Sequence, residues 1–137
     1  MTDRTNWAAP LMDYLHHGSA APTGPVQPLN LRLMTAQGSN TSNGTQALTS
    51  NCPGYTTNGL TMGNPSFGSN ASGVSSSANA VSYTATGAWT AVVAIETWDA
   101  SGTPKRVDQG GITSVTLANA NTLSFPAGQV QADGSQW

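Results

Sequence analysis

Charged side chains are scarce in this 137-residue chain, where Lys, Arg, Asp and Glu make up 7% of residues, against about 25% in an average protein. The formal net charge is −2, with only four basic residues. So few cations cannot form the positive stripe that phosphate backbones require, which excludes nucleic acid as a partner. Ser, Thr and Asn supply roughly a third of the chain instead. Four Trp, three Tyr and two Phe indicate a folded rather than a disordered protein.

Cysteine and long apolar runs are also scarce. The single cysteine, Cys52, excludes an intrachain disulfide framework, and its turn-like Asn-Cys-Pro-Gly setting predicts an inert thiol. No apolar run approaches the length of a membrane-spanning helix, and the first residues lack the apolar core of a signal peptide. We therefore expect no membrane partner, and a protein made and kept in the cytoplasm until it is released.

Short apolar segments alternate with turns between residues 80 and 130. The segment 89–98 carries apolar residues on both strand faces, with Ala91, Val93 and Ile95 on one and Val92, Ala94 and Trp98 on the other. A strand that is apolar on both faces is covered on both, so this strand is predicted to be central.

The remaining pattern predicts an all-β fold, a β-sandwich or jelly-roll-like domain of about seven or eight strands over residues 29–137. Leu29, Leu31 and Leu33 predict a half-buried first strand, because they alternate with Asn30, Arg32 and Met34. Asn58-Gly59 predicts a tight type I′ hairpin. Further strands are predicted at 46–49, 80–84, 105–108, 112–117 and 122–125, with polar loops at 37–54 and 68–77.

Residues 1–28 are predicted to form a short N-terminal helix and a Pro-rich arm. Thr5 or Asn6 caps the predicted helix, which runs to about His17 and ends at Gly18. Trp7, Leu11 and Leu15 recur on one helical face, which Met12 joins. This face either docks on the domain's own core or anchors a neighbouring subunit.

Candidate catalytic groups are few. Glu96 and Asp99 are either a glycosidase-type carboxylate pair or, as we favour for Glu96, a carboxylate at the sandwich rim paired with Lys105 or Arg106. Adjacent His16 and His17 lack the spacing for a shared metal ion. Motifs for a serine elbow, a zinc helix or a phosphate loop are missing from the sequence. We therefore expect no enzyme, no cofactor and no bound metal.

Apolar and proline side chains near the two ends of the sequence are the candidates for contact with a partner. They lie outside the predicted sandwich, and large apolar anchors dominate the energetics of interfaces. The candidate contact residues are Trp7, Leu11, Met12, Leu15, Pro25, Pro28 and Trp137.

The order of several segments resembles a known family. These are the NWAAPLMDYLHHGSAAPTGPVQPLNLRLMTAQGS opening, GTQALTSNCPGY at 44–55, the D-A-S-G turn at 99–102, the Gly-Gly pair at 110–111 and TLSFPAG at 122–128. Together they resemble small actinobacteriophage virion structural proteins, usually labelled tail fibre or minor tail proteins and in some virions capsid decoration proteins. The resemblance covers roughly residues 6–130 and carries over no catalytic residue.

The resemblance implies a virion protein assembled in the cytoplasm of a host bacterium. The first hypothesis is a capsid decoration protein bound to the outer face of the head through the N-terminal arm. The alternative is a tail fibre or minor tail component that contacts glycans of the host surface through its aromatic residues and the loops 37–54 and 68–77. The expected partners are the major capsid protein or tail proteins, and a homo-oligomer, with a trimer favoured, is expected in either case.

Overall fold

The structure, a computed structural model, describes Trp7 and residues 9–133. Within these residues the chain forms one helix and nine strands, so the predicted all-β class is confirmed. The elements are α1 (Ala9–His17), β1 (Asn30–Ala36), β2 (Thr45–Gln46), β3 (Leu60–Thr61), β4 (Val74–Ser76), β5 (Val81–Thr84), β6 (Val92–Trp98), β7 (Arg106–Val115), β8 (Thr122–Phe125) and β9 (Gln131–Asp133).

The helix α1 ends where the sequence predicts. Gly18 takes a φ of +67°, the left-handed conformation that glycine adopts most readily after a helix. The predicted capping residues Thr5 and Asn6 lie outside the described residues. No side chain of α1 is buried, so the helix lies on the surface of the domain.

The main sheet has five antiparallel strands in the order β2-β1-β6-β7, with β3 also paired to β1. The strand β6 lies between β1 and β7, which confirms the predicted central position. The prediction that β1 is half-buried is wrong, because its second face is covered too. Arg32 is 8% exposed and Met34 is 1% exposed. The Trp98 ring on β6 covers this face, and its centroid lies 4.1 Å from the Arg32 guanidinium carbon.

The Gly110-Gly111 pair does not divide two strands as predicted. It lies inside the single strand β7, where Gly110 pairs with Ile95 and Gly111 with Ala94. Glycine removes a side chain but keeps the backbone groups of the ladder, so pairing continues through it. Gln37 Oε1 would lie 3.0 Å from a Cβ at position 111, so a larger residue there would require the Gln37 side chain to shift slightly. The ladder is irregular on either side of the glycine pair, between Val92 and Ala94 and between Thr97 and Trp98.

Two small sheets complete the fold. The strand β5 pairs with β8, and β4 pairs with β9. The strand β4 lies in the predicted polar loop 68–77, so that part of the prediction is wrong. Val74 is its one apolar residue, and its partner lies far along the chain, with Val74 opposite Asp133.

The turn at Asn58-Gly59 differs from the predicted type I′ hairpin. Both residues have positive φ, +70° and +80°, but the hydrogen bond that closes the turn runs from the Gly59 N–H to the Thr56 carbonyl over 2.9 Å, so its central residues are Thr57 and Asn58. The strand β3 that follows pairs with β1, with Leu60 opposite Leu31, instead of with the residues before the turn. Pairing with the buried strand β1 therefore replaces the local hairpin.

The core lies between the main sheet and the smaller sheets. Of the aromatic residues in or next to the strands β5, β6 and β8, Tyr83 and Trp89 are buried, whereas Trp98 and Phe125 are half-buried. The ring centroids of Tyr83 and Tyr55 are 5.7 Å apart, and the Tyr83 hydroxyl donates to the Leu31 carbonyl. The other buried apolar members include Leu29, Leu31, Leu33, Cys52, Met62, Val81 and Val92.

Candidate functional site

Glu96 and Arg106 form a fully buried ion pair across β6 and β7. Their side chains are 0% exposed, and Arg106 Nη1 lies 3.2 Å from Glu96 Oε1. The predicted partnership of Glu96 with Arg106 is therefore confirmed for the ion pair. The predicted position of Glu96 at the sandwich rim is wrong, because both side chains of the pair are fully buried. Both side chains lie beneath a loop that the sequence does not place there.

That loop comprises residues 39–44, in the predicted polar loop 37–54. The Arg106 guanidinium donates to the carbonyl oxygens of Ser42 and Ser39, each over 2.6 Å. The backbone N–H of Gly44 donates to Glu96 Oε1 over 2.8 Å. The ion pair thus satisfies backbone groups of the 39–44 loop and fixes this loop against the sheet.

The surroundings of Glu96 and Asp99 do not resemble a catalytic carboxylate pair. Glu96 Oε2 accepts from the Trp98 indole N–H over 2.9 Å, so both of its oxygens are engaged. Asp99 Oδ1 accepts from the Lys105 backbone N–H and the Ser101 hydroxyl, which closes the turn between β6 and β7. These contacts assign both carboxylates to structural hydrogen bonding.

The remaining candidate reactive groups are also held in structural roles. Cys52 is buried, and its burial raises the pKa of its thiol, which lowers the thiolate fraction. His17 Nδ1 lies 3.2 Å from Asp13 Oδ1 on the exposed face of α1. Within the described residues, no three His, Cys, Asp or Glu side chains are placed to share a metal ion.

A groove of about 310 Å³ runs between the N-terminal segment and the sheets. We call it the arm groove. One wall comes from Trp7, α1 and the Pro-rich arm, and the other from β7, the turn before β4, and the β4–β9 pair. Its apolar lining consists of Trp7, Leu11, Pro22, Pro25, Val107 and Ala132.

The Trp7 ring in this wall is held in place by the domain itself. Its indole N–H donates to the Arg106 carbonyl on β7 over 2.7 Å. The Lys105 ammonium lies 5.9 Å from the ring centroid. A further backbone bond, from the Ala100 N–H to the Val26 carbonyl over 2.9 Å, attaches the end of the arm. Trp7 therefore lies against its own domain at one edge while it lines the groove.

Polar groups line the opposite part of the arm groove. Asn70 Oδ1 accepts from the Gly73 N–H over 3.1 Å, which closes the turn before β4. Asp108 Oδ1 accepts from the Gln109 N–H over 2.8 Å. Thr23 and Ser75 add two hydroxyl groups to the lining.

The structure brings three of the seven candidate contact residues together. Trp7, Leu11 and Pro25 line the arm groove. Met12 and Leu15 are exposed on α1, at 52% and 61%. The two remaining candidates lie elsewhere, since Pro28 is half-buried next to β1 and Trp137 lies outside the described residues.

The opposite wall of the groove was not predicted as part of a site. The sequence pattern did not identify Val107, Asp108 or Ala132 as contact residues. The pairing of β4 with β9 joins segments that are distant in the sequence, and no local pattern connects them. The polar loop 68–77 was predicted as a binding surface, and its Asn70, Gly73 and Ser75 do line the groove.

The all-β fold and the structural roles of the carboxylates are those of a structural protein, and comparison with known families identifies the class as phage structural proteins of fibre type. The chain belongs to the family of the podophage GP4 fiber I protein gp80, whose model matches residues 4–133. This family makes the protein a component of a bacteriophage virion. It does not support an actinobacteriophage origin in particular.

A search of curated proteins gave no match. In the described part of the chain, no helix has the length and apolar character needed to cross a membrane.

Proposed function

We propose that this protein is a tail fibre component that contacts the host cell surface and acts by binding rather than by catalysis. The observation that carries the proposal is the match of residues 4–133 to a fibre family. The contacts of Glu96, Asp99 and Cys52 support the non-enzymatic part, because each group is held in a structural role. The family description favours this function over the capsid decoration role that was the first hypothesis.

We further propose that α1 attaches the protein to other tail proteins. Met12, Tyr14 and Leu15 expose 52%, 43% and 61% of their surface, and Leu15 is the most exposed large apolar residue described. Exposed apolar side chains on one short helix provide the kind of anchor that dominates interface energetics. A homo-oligomer, with a trimer favoured, remains our expectation for the assembled fibre.

Two measurements on virions and cells test the host-contact function. Immunogold labelling with an antibody against this protein should place the label on the tail, and the purified protein should inhibit phage adsorption in a dose-dependent manner. Heat-denatured protein is the control for the inhibition. Label spread evenly over the head, with no inhibition of adsorption, would favour capsid decoration and reject the proposal.

The attachment role of α1 is tested by the double substitution Met12→Ser and Leu15→Ser. Because neither side chain is buried, the substituted protein should fold normally yet be lost from purified virions. Leu48→Ser is the matched control, since Leu48 is 50% exposed and lies away from α1. Normal incorporation of the double variant would show that α1 is not the anchor.

A further inference from the structure

We propose that the arm groove binds a neutral saccharide unit of the host cell surface. The inference rests on the proposed function and names the site and the ligand class for it. The groove volume of about 310 Å³ lies at the lower end of the roughly 300–1,000 Å³ of small-molecule sites. A groove of this volume can hold a ligand of one or two sugar rings.

The aromatic wall suits one face of a sugar ring. A pyranose presents a face of C–H groups that packs on a flat apolar surface, and an indole offers such a surface with few rotatable bonds. The hydrogen bond from Trp7 to the Arg106 carbonyl fixes one edge of the ring before any ligand arrives. Preorganisation of this kind lowers the entropic cost of binding.

The polar wall suits the hydroxyl groups of the same ring. Within the described residues, the Ser75 and Thr23 hydroxyls make no hydrogen bond, and the Asn70 amide nitrogen makes none either. Each group can donate, and the two hydroxyls can also accept. A wholly apolar occupant would bury these groups without partners, which is unfavourable. The wall therefore favours a ligand that has both an apolar face and several hydroxyl groups.

The charge of the lining favours a neutral saccharide. Asp108 is the one ionisable residue among the described residues that line the groove, and no described lining residue is cationic. A sugar carboxylate or phosphate placed beside the Asp108 carboxylate would meet a like charge, which is unfavourable. Neutral hexoses carry no such penalty.

Binding is tested by titrating the ¹⁵N-labelled protein with methyl glycosides of glucose, galactose and mannose, their neutral disaccharides, and glucuronic and galacturonic acids. The Trp7 indole N–H signal, assigned by its absence in Trp7→Phe, should shift with at least one neutral saccharide and not with the uronic acids. No shift with any neutral saccharide, or a preference for the uronic acids, would overturn the proposal.

The position of the site is tested with variants of each wall. Ala132→Trp fills the groove and should abolish binding, and Ser75→Ala should weaken it about three- to tenfold, the range for one lost hydrogen bond. Leu48→Ser and Ser124→Ala are matched controls, since both side chains are exposed outside the groove. Unchanged binding by Ala132→Trp would overturn the assignment.

Two other possible occupants of the groove, a second copy of the protein and the chain's own terminus, are distinguished by Ala132→Trp and by a truncation. If Ala132→Trp dissociates an oligomer of the wild-type protein, measured by sedimentation, then a second copy occupies the groove and the saccharide proposal fails. If removal of residues 134–137 creates binding that the wild-type protein lacks, then the chain's own terminus occupies it and the proposal fails as well.

Inhibition of adsorption by a wild-type protein that binds no saccharide would overturn this inference and leave the proposed function intact. Saccharide binding without inhibition would support the site and reject the host-contact function.

Discussion

Trp7 donates its indole N–H to the backbone carbonyl of Arg106 over 2.7 Å, while the Arg106 guanidinium binds the carbonyls of Ser39 and Ser42. One residue of β7 therefore joins the N-terminal segment through its backbone and the 39–44 loop through its side chain. The N-terminal segment and the 39–44 loop are thus fixed by the same buried position. A change in the side chain at position 106 should disturb the loop first, because the carbonyl that accepts from Trp7 belongs to the backbone.

Glu96→Gln should destabilise the domain by about 3–5 kcal/mol, because it removes the carboxylate from the buried ion pair with Arg106. Urea unfolding followed by circular dichroism measures the change in the free energy of unfolding. Asp13→Asn is the control, since Asp13 is an exposed carboxylate, and it should change stability by less than about 0.5 kcal/mol.

The double variant Glu96→Leu with Arg106→Met completes this test. The double variant should lose less stability than the sum of the losses in Glu96→Leu alone and Arg106→Met alone, since it removes both buried charges together. Additive losses in the cycle would show that the two side chains do not interact energetically.

Trp7→Phe should keep an aromatic ring in the arm groove but remove the donor to the Arg106 carbonyl. We expect a loss of about 1 kcal/mol, the usual net value of one hydrogen bond. In the wild-type protein, the Trp7 indole N–H should exchange with deuterium more slowly than a solvent-exposed indole. Exchange at the exposed rate, with unchanged stability of the variant, would contradict this hydrogen bond.

Stability should fall above about pH 10. Burial raises the pKa of Tyr83 and of Tyr55 above the ordinary value, so both hydroxyls stay protonated in the folded protein after they ionise in the unfolded chain. The unfolded state then binds fewer protons, and the free energy of unfolding declines as pH rises. The raised pKa of Cys52 acts in the same direction, starting from about pH 8.5.

Thermal unfolding between pH 7 and pH 11 measures this decline. Tyr83→Phe should lower stability at pH 7, because the hydrogen bond to the Leu31 carbonyl is lost, yet make the decline with pH shallower. An equally steep decline in the variant would mean that Tyr83 does not contribute to the alkaline loss.

Gly59→Ala should be much more destabilising than Gly128→Ala. Both glycines have positive φ, +80° and +84°, so each substitution costs about 1–2 kcal/mol of backbone strain. A Cβ at position 59 would also collide with the Leu31 carbonyl oxygen on β1, whereas a Cβ at position 128 meets nothing within 4 Å. Chemical unfolding of the two variants measures the difference, and equal losses would show that the turn can move away from β1.

The sequence predicts the elements whose signal is local. The central strand β6, the strand β8 and the helix end at Gly18 each follow from residues within one segment. The burial of Glu96 and Arg106 was not predictable in this way, because it depends on the 39–44 loop, which lies far away in the sequence. Sequence patterns read a charged residue after a turn as exposed, and only the three-dimensional structure shows the loop that covers it.

The candidate site was predicted from one side. Trp7, Leu11 and Pro25 were identified because they lie outside the predicted sandwich, the first two on one helical face and Pro25 in the Pro-rich arm. The other wall depends on the strand pair β4–β9, whose residues are mostly small and polar and have no distinct periodicity. The groove exists only where the two walls meet, and long-range pairing of this kind leaves no local trace in the sequence.

The pairing of β4 with β9 also has a consequence for how the chain acquires its fold. Val74 lies opposite Asp133 and Val81 opposite Phe125, so neither small sheet can form until the distant partner strand has been synthesised. Topologies dominated by such remote pairings fold slowly, since the loop between the partners must close first. During synthesis, therefore, β4 stays an unpaired edge and the second wall of the arm groove stays incomplete until β9 joins.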